Sequence, residues 1–340
     1  MLTRVLGQLW WGLPMGMIFW LIAHMAQASE TPTPEPGPPN VVLVVMDTVR
    51  CDRLSCYGYF RLTTPNLDKL LEESRQYTRA YSTSCWTIPA HASLFTGLYS
   101  MTHKATQENV VLDENLITLA EILQDHNYST VAITENPTLN KERNFDQGFD
   151  RFYETWKIKG GEKEADRDGV NPAIACFNEA VSNPRPFFIF VNLIEPHSPY
   201  DSSGNMKETF LTDTSIPLTK NMFVSYYLGW KSFTPAELNH LNELYDAELL
   251  YVDHLIGQMI KILKKSKLWD ETIFIVTSDH GENIGDHGHM DHIFSLHETL
   301  IKIPLIIRYP KNFSPGTRDD RSVQLVDIFP TLLNLLDIKS

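Results

Sequence analysis

Four short runs in this chain are apolar almost without a break: Val41–Met46, Phe187–Leu193, Ile273–Val276 and Ile303–Ile307. A strand with one wet face alternates apolar and polar residues, whereas a strand covered on both faces does not. These runs therefore predict strands at the centre of a mostly parallel sheet. Helical patterns lie between them. Leu116–Asp125 is amphipathic, and Pro235–Lys267 follows the capping residue Thr234 with proline at the first helical position. Strands alternating with helices define an α/β chain, expected as three layers with helices on both faces of the sheet. Lys157–Asp168 is charged and contains glycine, so it predicts a surface loop. Ser198–Lys231 has little periodicity and is expected as an excursion over the site.

In an open α/β sheet, ligands collect at the carboxyl ends of the strands. Asp47 directly follows the first run, Glu195-Pro196-His197 the second, and Ser278-Asp279-His280 the third. Three strands thus deliver carboxylates and imidazoles to one edge. Five of the twelve histidines lie between His280 and His297, with Glu282, Asp286 and Asp291 among them. Mixed carboxylate and imidazole donors suit Zn²⁺ or Mn²⁺. Asp47 alone reads equally well as a turn residue, and its weight comes from these partners. Thr87–Gly97 predicts a helix with Thr87 at the N-cap, Pro89 in the first turn and Gly97 past the end. On one reading Thr87 only caps that helix. On the other, its hydroxyl is a nucleophile beside a divalent cation, and the free N–H groups hold an anionic ester.

Composition narrows the partners. A net charge of -13 over 340 residues repels polyphosphate backbones, so no nucleic-acid partner is expected. A local cationic site on an acidic protein can still hold a small anion. Leu9–Ala23 is almost wholly apolar and leads to Ala26-Gln27-Ala28, the small-x-small pattern before a signal-peptidase cut. Residues 1–28 are therefore expected as a signal peptide, or, through residues 5–26, as a membrane anchor. Both readings put the remainder outside the cytoplasm. Residues 29–39 form a stiff Pro-rich linker, and 40–340 the catalytic domain. Cys51, Cys56, Cys85 and Cys176 allow three full pairings, and at least two of them suit small buried apolar positions.

Ordered motifs then resemble one family. Asn40–Asp52 resembles the opening strand and first metal ligand of sulfatases and their relatives in the alkaline phosphatase superfamily. Thr87-x-Pro89-x-His91 through Gly97 resembles their nucleophile helix, and Phe187–Tyr200 their central strand with a substrate-side histidine. Thr277–Glu282 resembles their second metal motif, Ser295–Arg308 the strand that follows, and Val326–Thr331 the next helix. The resemblance implies an alkaline phosphatase-like fold and one divalent ion (Zn, Mn, Mg or Ca) on Asp47, Asp279, His280 and the Thr87 oxygen. It implies His197 and His292 as residues that contact the ester or protonate its leaving group, with His91 and Asn136 lining the pocket. His289 competes with His292 for that role. The family's small C-terminal subdomain is expected to be short or absent in this chain.

Departures from the family pattern decide the expected chemistry. Sulfatases carry Cys or Ser, converted to formylglycine, in the pattern Cys/Ser-x-Pro-x-Arg. The aligned residue here is Thr87, with His91 in place of the arginine. Cys85 does not fit, because Thr87 and Pro89 stand where Pro and Arg are needed. The sulfate-pocket lysine and histidine should follow the strand Ser129–Ile133, where the chain reads Thr134-Glu135-Asn136-Pro137. The resemblance therefore implies a phosphate ester or diester hydrolase or a transferase working through Thr87. Its substrate would be a small molecule or a lipid or glycan head group. A sulfatase acting without formylglycine and an inactive metal-holding binding protein are the alternatives.

Overall fold

The computed structural model describes residues 37–158, 171–200, 206, 208–216 and 220–339. The expected signal or anchor and most of the predicted loop Lys157–Asp168 lie outside the described residues. The chain divides into two units after Pro38, and the second carries the sheet.

Ten strands run β1 Asn40–Met46, β2 Arg75–Tyr81, β3 Ser129–Thr134, β4 Arg151–Glu154, β5 Phe187–Leu193, β6 Thr272–Ser278, β7 Asn283–Ile284, β8 Met290–Asp291, β9 Lys302–Arg308 and β10 Thr317–Gln324. Eight of them form one sheet in the order β10-β2-β9-β6-β1-β5-β3-β4, while β7 and β8 form a small ribbon. Within the large sheet only β9 runs against the others. β1 lies between β5 and β6, parallel to both, with Met46 opposite Leu193 and Ser278. That register brings the three predicted ligand-bearing ends to one level.

The helices longer than one turn are α1 Pro65–Leu71, α2 Thr87–Thr96, α3 Leu119–Asp125, α4 Pro172–Val181, α5 Lys220–Tyr227, α6 Pro235–Lys265 and α7 Ile328–Leu335. Successive side chains on a strand point to opposite faces, so each buried strand must satisfy two cores. Val42, Val44 and Met46 of β1 enter one core with Leu67, Phe177, Tyr245 and Ile256 from α1, α4 and α6. Val41, Leu43 and Val45 enter the other with Leu94, Phe95, Leu123 and Leu332 from α2, α3 and α7. This is the expected three-layer arrangement around a mostly parallel sheet. Each apolar side chain fully removed from water contributes roughly 1.5–3 kcal/mol. The central strands therefore hold both layers at once.

Local signals set the helix ends. Thr118 and Glu121 form a reciprocal capping box, so α3 begins at Leu119 rather than at the predicted Leu116. Thr234 and Glu237 form a second box at the start of α6. That helix stops at Lys265, two residues short of the prediction, because Lys267 is left-handed at φ 60°. The predicted excursion Ser198–Lys231 contains helix α5 among its described residues. Cys51, Cys56, Cys85 and Cys176 are all buried free thiols. Among the described residues, no helix is long and apolar enough to cross a membrane.

Candidate active site

Asp47 follows β1, and Asp279 and His280 follow β6, all three fully buried. One donor atom from each lies within 4.8 Å of the others. His280 Nε2 stands 3.3 Å from Asp279 Oδ2 and 3.9 Å from Asp47 Oδ1. Those two carboxylate oxygens are buried with no hydrogen-bond donor. Burial pushes Asp279 up to about 7 against N–H bonds from His280 and Thr48. Burial, then the charge of Asp279, raises Asp47. Burial, then the charge of His292, lowers His280 to about 3. Two carboxylates and a neutral imidazole facing one another in the interior leave orphaned acceptors, which are expensive without a cation. Two hard oxygens and one imidazole nitrogen suit a divalent ion, and these residues fit one.

The other carboxylate oxygens are held in place. Asn136 Nδ2 donates to Asp47 Oδ2 at 2.5 Å, and Asn192 Nδ2 does so at 3.4 Å. The Tyr245 hydroxyl accepts from the Arg50 N–H and donates to the Thr48 carbonyl, both at 2.8 Å, which pins the turn after Asp47. Arg50 continues to Asp286 and Asp52. Gly281 is required by close approach, since a Cβ there would sit 2.0 Å from the Thr299 carbonyl oxygen.

Thr87 is the first residue of α2 and Trp86 is its cap, a one-residue correction to the predicted boundary. The Thr87 side chain makes no capping bond. Its Oγ1 instead lies 3.4 Å from His280 Nε2, beside the buried ligand set. Gly97 ends the helix in the left-handed region at φ 69°, where a Cβ is strained. His91 lies one turn below Thr87, wholly buried, with Nδ1 on the Thr87 carbonyl at 2.9 Å. Its ring packs edge-on against Phe95 and Phe190. His91 and Asn136, expected as pocket lining, thus make contacts that support the nucleophile helix and Asp47.

His197 and His292 come together, with ring centroids 5.1 Å apart. The His292 ring also lies 4.5 Å from that of His280. His197 Nδ1 lies 2.8 Å from the Ser198 carbonyl, so Nδ1 is its protonated nitrogen and Nε2 has no hydrogen bond among the described residues. His292 Nδ1 lies 2.5 Å from Asp291 and 3.2 Å from Glu282. Burial alone would lower the basicity of His292, but these carboxylates raise it well above the ordinary imidazole value. Glu282, Asp291 and His292 also form a second group whose donor atoms converge. His289 is exposed and turned toward His297 instead. Asn192 and Tyr245 carry no expectation as site residues, and Arg50 enters only as part of the Asn40–Asp52 motif. Asn192 had a visible signal, as the one polar residue inside the apolar run Phe187–Leu193.

The sheet order, with buried acidic and imidazole side chains at its strand ends and Thr87 at the head of α2 beside them, belongs to a sulfatase-type fold. The sulfatase family model matches residues 39–338, and the chain belongs to that family. The chain is 26% identical over 343 residues to the uncharacterized sulfatase YidJ of Escherichia coli (strain K12), a match covering 88% of this chain and 68% of that protein. Its fold is similar to the phosphonate monoester hydrolase of Agrobacterium radiobacter, with a TM-score of 0.73 at 22% identity, over 88% of this chain and 74% of that one. It is also similar to the C-terminal periplasmic domain of EcEptC from Escherichia coli, in complex with Zn, with a TM-score of 0.67 at 22% identity, covering 88% and 82%. The chain is thus a sulfatase-family hydrolase with the fold of the alkaline phosphatase superfamily.

Proposed function

We propose that this chain is an exported, metal-dependent enzyme that cleaves phosphate esters or diesters through a covalent bond to Thr87. The observation that carries this reading is the Thr87 hydroxyl at the head of a buried helix, free of capping and 3.4 Å from His280 Nε2. Asp47, Asp279, His280 and the Thr87 oxygen would hold one divalent ion, which when bound lowers the hydroxyl pKa and polarises a non-bridging ester oxygen. Thr87 Oγ attacks phosphorus in line with the leaving oxygen. The phosphorus–Oγ bond forms as the phosphorus–leaving-oxygen bond breaks. His292, held by Glu282 and Asp291, donates a proton to the departing alkoxide or contacts an ester oxygen. His197 faces the same space with its free Nε2. Water or an acceptor alcohol then displaces Thr87 from phosphorus, which gives hydrolysis or transfer. The charged His292 between two carboxylates accounts for the second converging group, so one metal suffices. Residues 1–28 act as signal or anchor, and the substrate is a small molecule or a lipid or glycan head group.

Sulfate-ester hydrolysis without formylglycine is the second reading, supported by the sulfatase names that dominate among the relatives. Against it stands Thr87, because a sulfated threonine needs a separate attack on sulfur to clear it, whereas the formylglycine diol expels sulfate by elimination.

The test assays the purified protein beside Thr87→Ala on aryl phosphodiester, phosphomonoester, phosphonate and sulfate esters. Zn²⁺, Mn²⁺, Mg²⁺ or Ca²⁺ is restored after chelation. Metal-dependent phosphodiester or phosphonate turnover that vanishes in Thr87→Ala is the expected result. Sulfate-ester turnover that survives in Thr87→Ala sinks the nucleophile assignment. Silence on every ester with metal still bound points to a transferase needing its own acceptor, or to a binding protein.

A further inference from the structure

A cavity of about 210 Å³ opens on the flank of the sheet, lined by Cys51, Asp52, Tyr57, Gln76, Thr78, Lys302 and Arg318. Its floor follows from strand register. Gln76 and Thr78 are two apart on β2 and share a face. Arg318 of β10 stands directly opposite Gln76, which puts its side chain on that face too. The Gln76 amide nitrogen donates to the Cys56 carbonyl at 2.7 Å, which turns this face toward the segment after β1.

The polar groups of the cavity are unequally used. The Tyr57 hydroxyl is saturated by the N–H and carbonyl of Leu305 and the carbonyl of Tyr77. Asp52 is tied to Arg50 at 2.9 Å. Thr78 donates to the Asp319 carbonyl. Burial raises the Cys51 thiol to about 12, so it is a neutral wall and not a nucleophile. Three groups are left over. The Gln76 side-chain oxygen is buried with no donor, on a residue only 2% exposed. Among the described residues Lys302 Nζ meets one carboxylate, Glu298, and loosely, at 3.8 Å. The Arg318 guanidinium has no ion pair among the described residues. A buried amide oxygen without a donor is destabilising, and a ligand hydroxyl would satisfy it. Two under-used cations nearby select negative charge.

We infer that this cavity is a second ligand site, separate from the Thr87 centre, for a small anionic polyol: a sugar or glycerol unit carrying a phosphate, sulfate or carboxylate group. Its anion rests between Lys302 and Arg318, and a hydroxyl donates to Gln76. The volume suits one such unit. The inference does not depend on the chemistry proposed for Thr87.

The probes are glycerol 3-phosphate and inorganic phosphate, titrated by calorimetry into metal-stripped Thr87→Ala protein. Glycerol phosphate is expected to bind saturably and more tightly than phosphate. Lys302→Met and Arg318→Met should each weaken it about tenfold. Gln76→Met should remove the preference for glycerol phosphate over phosphate. Arg318 is exposed on an edge strand, so its variant keeps the fold even where the Gln76 variant does not. Aryl-ester turnover in Arg318→Met with Thr87 intact should be unchanged, which separates this site from the catalytic one. Unchanged affinity in both cation variants, or no saturable binding of either probe, overturns the inference.

Discussion

Two parts of one sheet do different work. The block β6-β1-β5-β3 is buried over almost its whole length, and its strand ends carry Asp47, Asp279, His280 and the segment leading to His197. The flank β9-β2-β10 becomes wetter outward, and β10, Thr-Arg-Asp-Asp-Arg-Ser-Val-Gln, contains no fully buried residue. In the block, packing on two faces fixes backbone positions to which buried carboxylates can be added at defined distances. In the flank, side chains on the open face are free to be cationic. The contrast separates a rigid reaction centre from a polar cavity at the sheet edge.

The largest expected effect is chemical. Thr87→Ala should lower ester turnover by at least about 10³-fold. Its unfolding free energy in urea should change by no more than about 1 kcal/mol, since the side chain caps nothing. A large stability loss would mean the hydroxyl belongs to the fold rather than to the reaction. Next, Leu43→Ala in β1 should destabilise by about 3 kcal/mol. Half-buried Val323→Ala in β10 should stay below about 1 kcal/mol. Equal losses would erase the distinction between block and flank.

Acidity should separate the layers with opposite signs. Asp253 of α6 accepts N–H bonds from Asn66 and Leu67, yet burial raises it to about 6. The folded value exceeds the unfolded one near 4, so the folded state binds the proton more tightly. Its stabilisation is complete below about pH 4 and is lost as pH rises through 6, by roughly 3 kcal/mol at most. Asp253→Asn should flatten that slope in urea melts taken across the range. On the flank, the hydrogen bond from Arg321 lowers Asp319 to about 2. Its contribution is present above the unfolded carboxyl value and lost as pH falls toward 2. A further, modest effect is expected at the support of the candidate ligand set. Asn136→Ala should weaken metal affinity about tenfold in chelator competition, with the fold retained. No change would mean that Asn192 alone holds Asp47.

The same contrast explains what the sequence revealed. β1, β5, β6 and β9 appear as apolar runs because both their faces are covered, and the candidate site residues Asp47, His197, Asp279 and His280 follow from where three of those runs stop. β2 and β10 gave no such run. Arg79, Arg318 and Arg321 are exposed, and the pairing of these strands is set by neighbours far away in the chain. The gathering of His292 with His197 was expected only through family resemblance, because periodicity carries no information about how a loop folds back. Tyr245 looked like an ordinary residue of α6, and nothing local reveals that its hydroxyl bridges the turn after Asp47.

The head of α2 has a consequence beyond this one protein. Trp86 begins the helix, Gly97 ends it, and His91 braces it against Phe95 and Phe190, so no part of the helix depends on what residue 87 carries. A scaffold that asks nothing of the side chain at its head lets that side chain be exchanged: residue 87 behaves as a socket, in which serine can stand for threonine without rebuilding the helix around it.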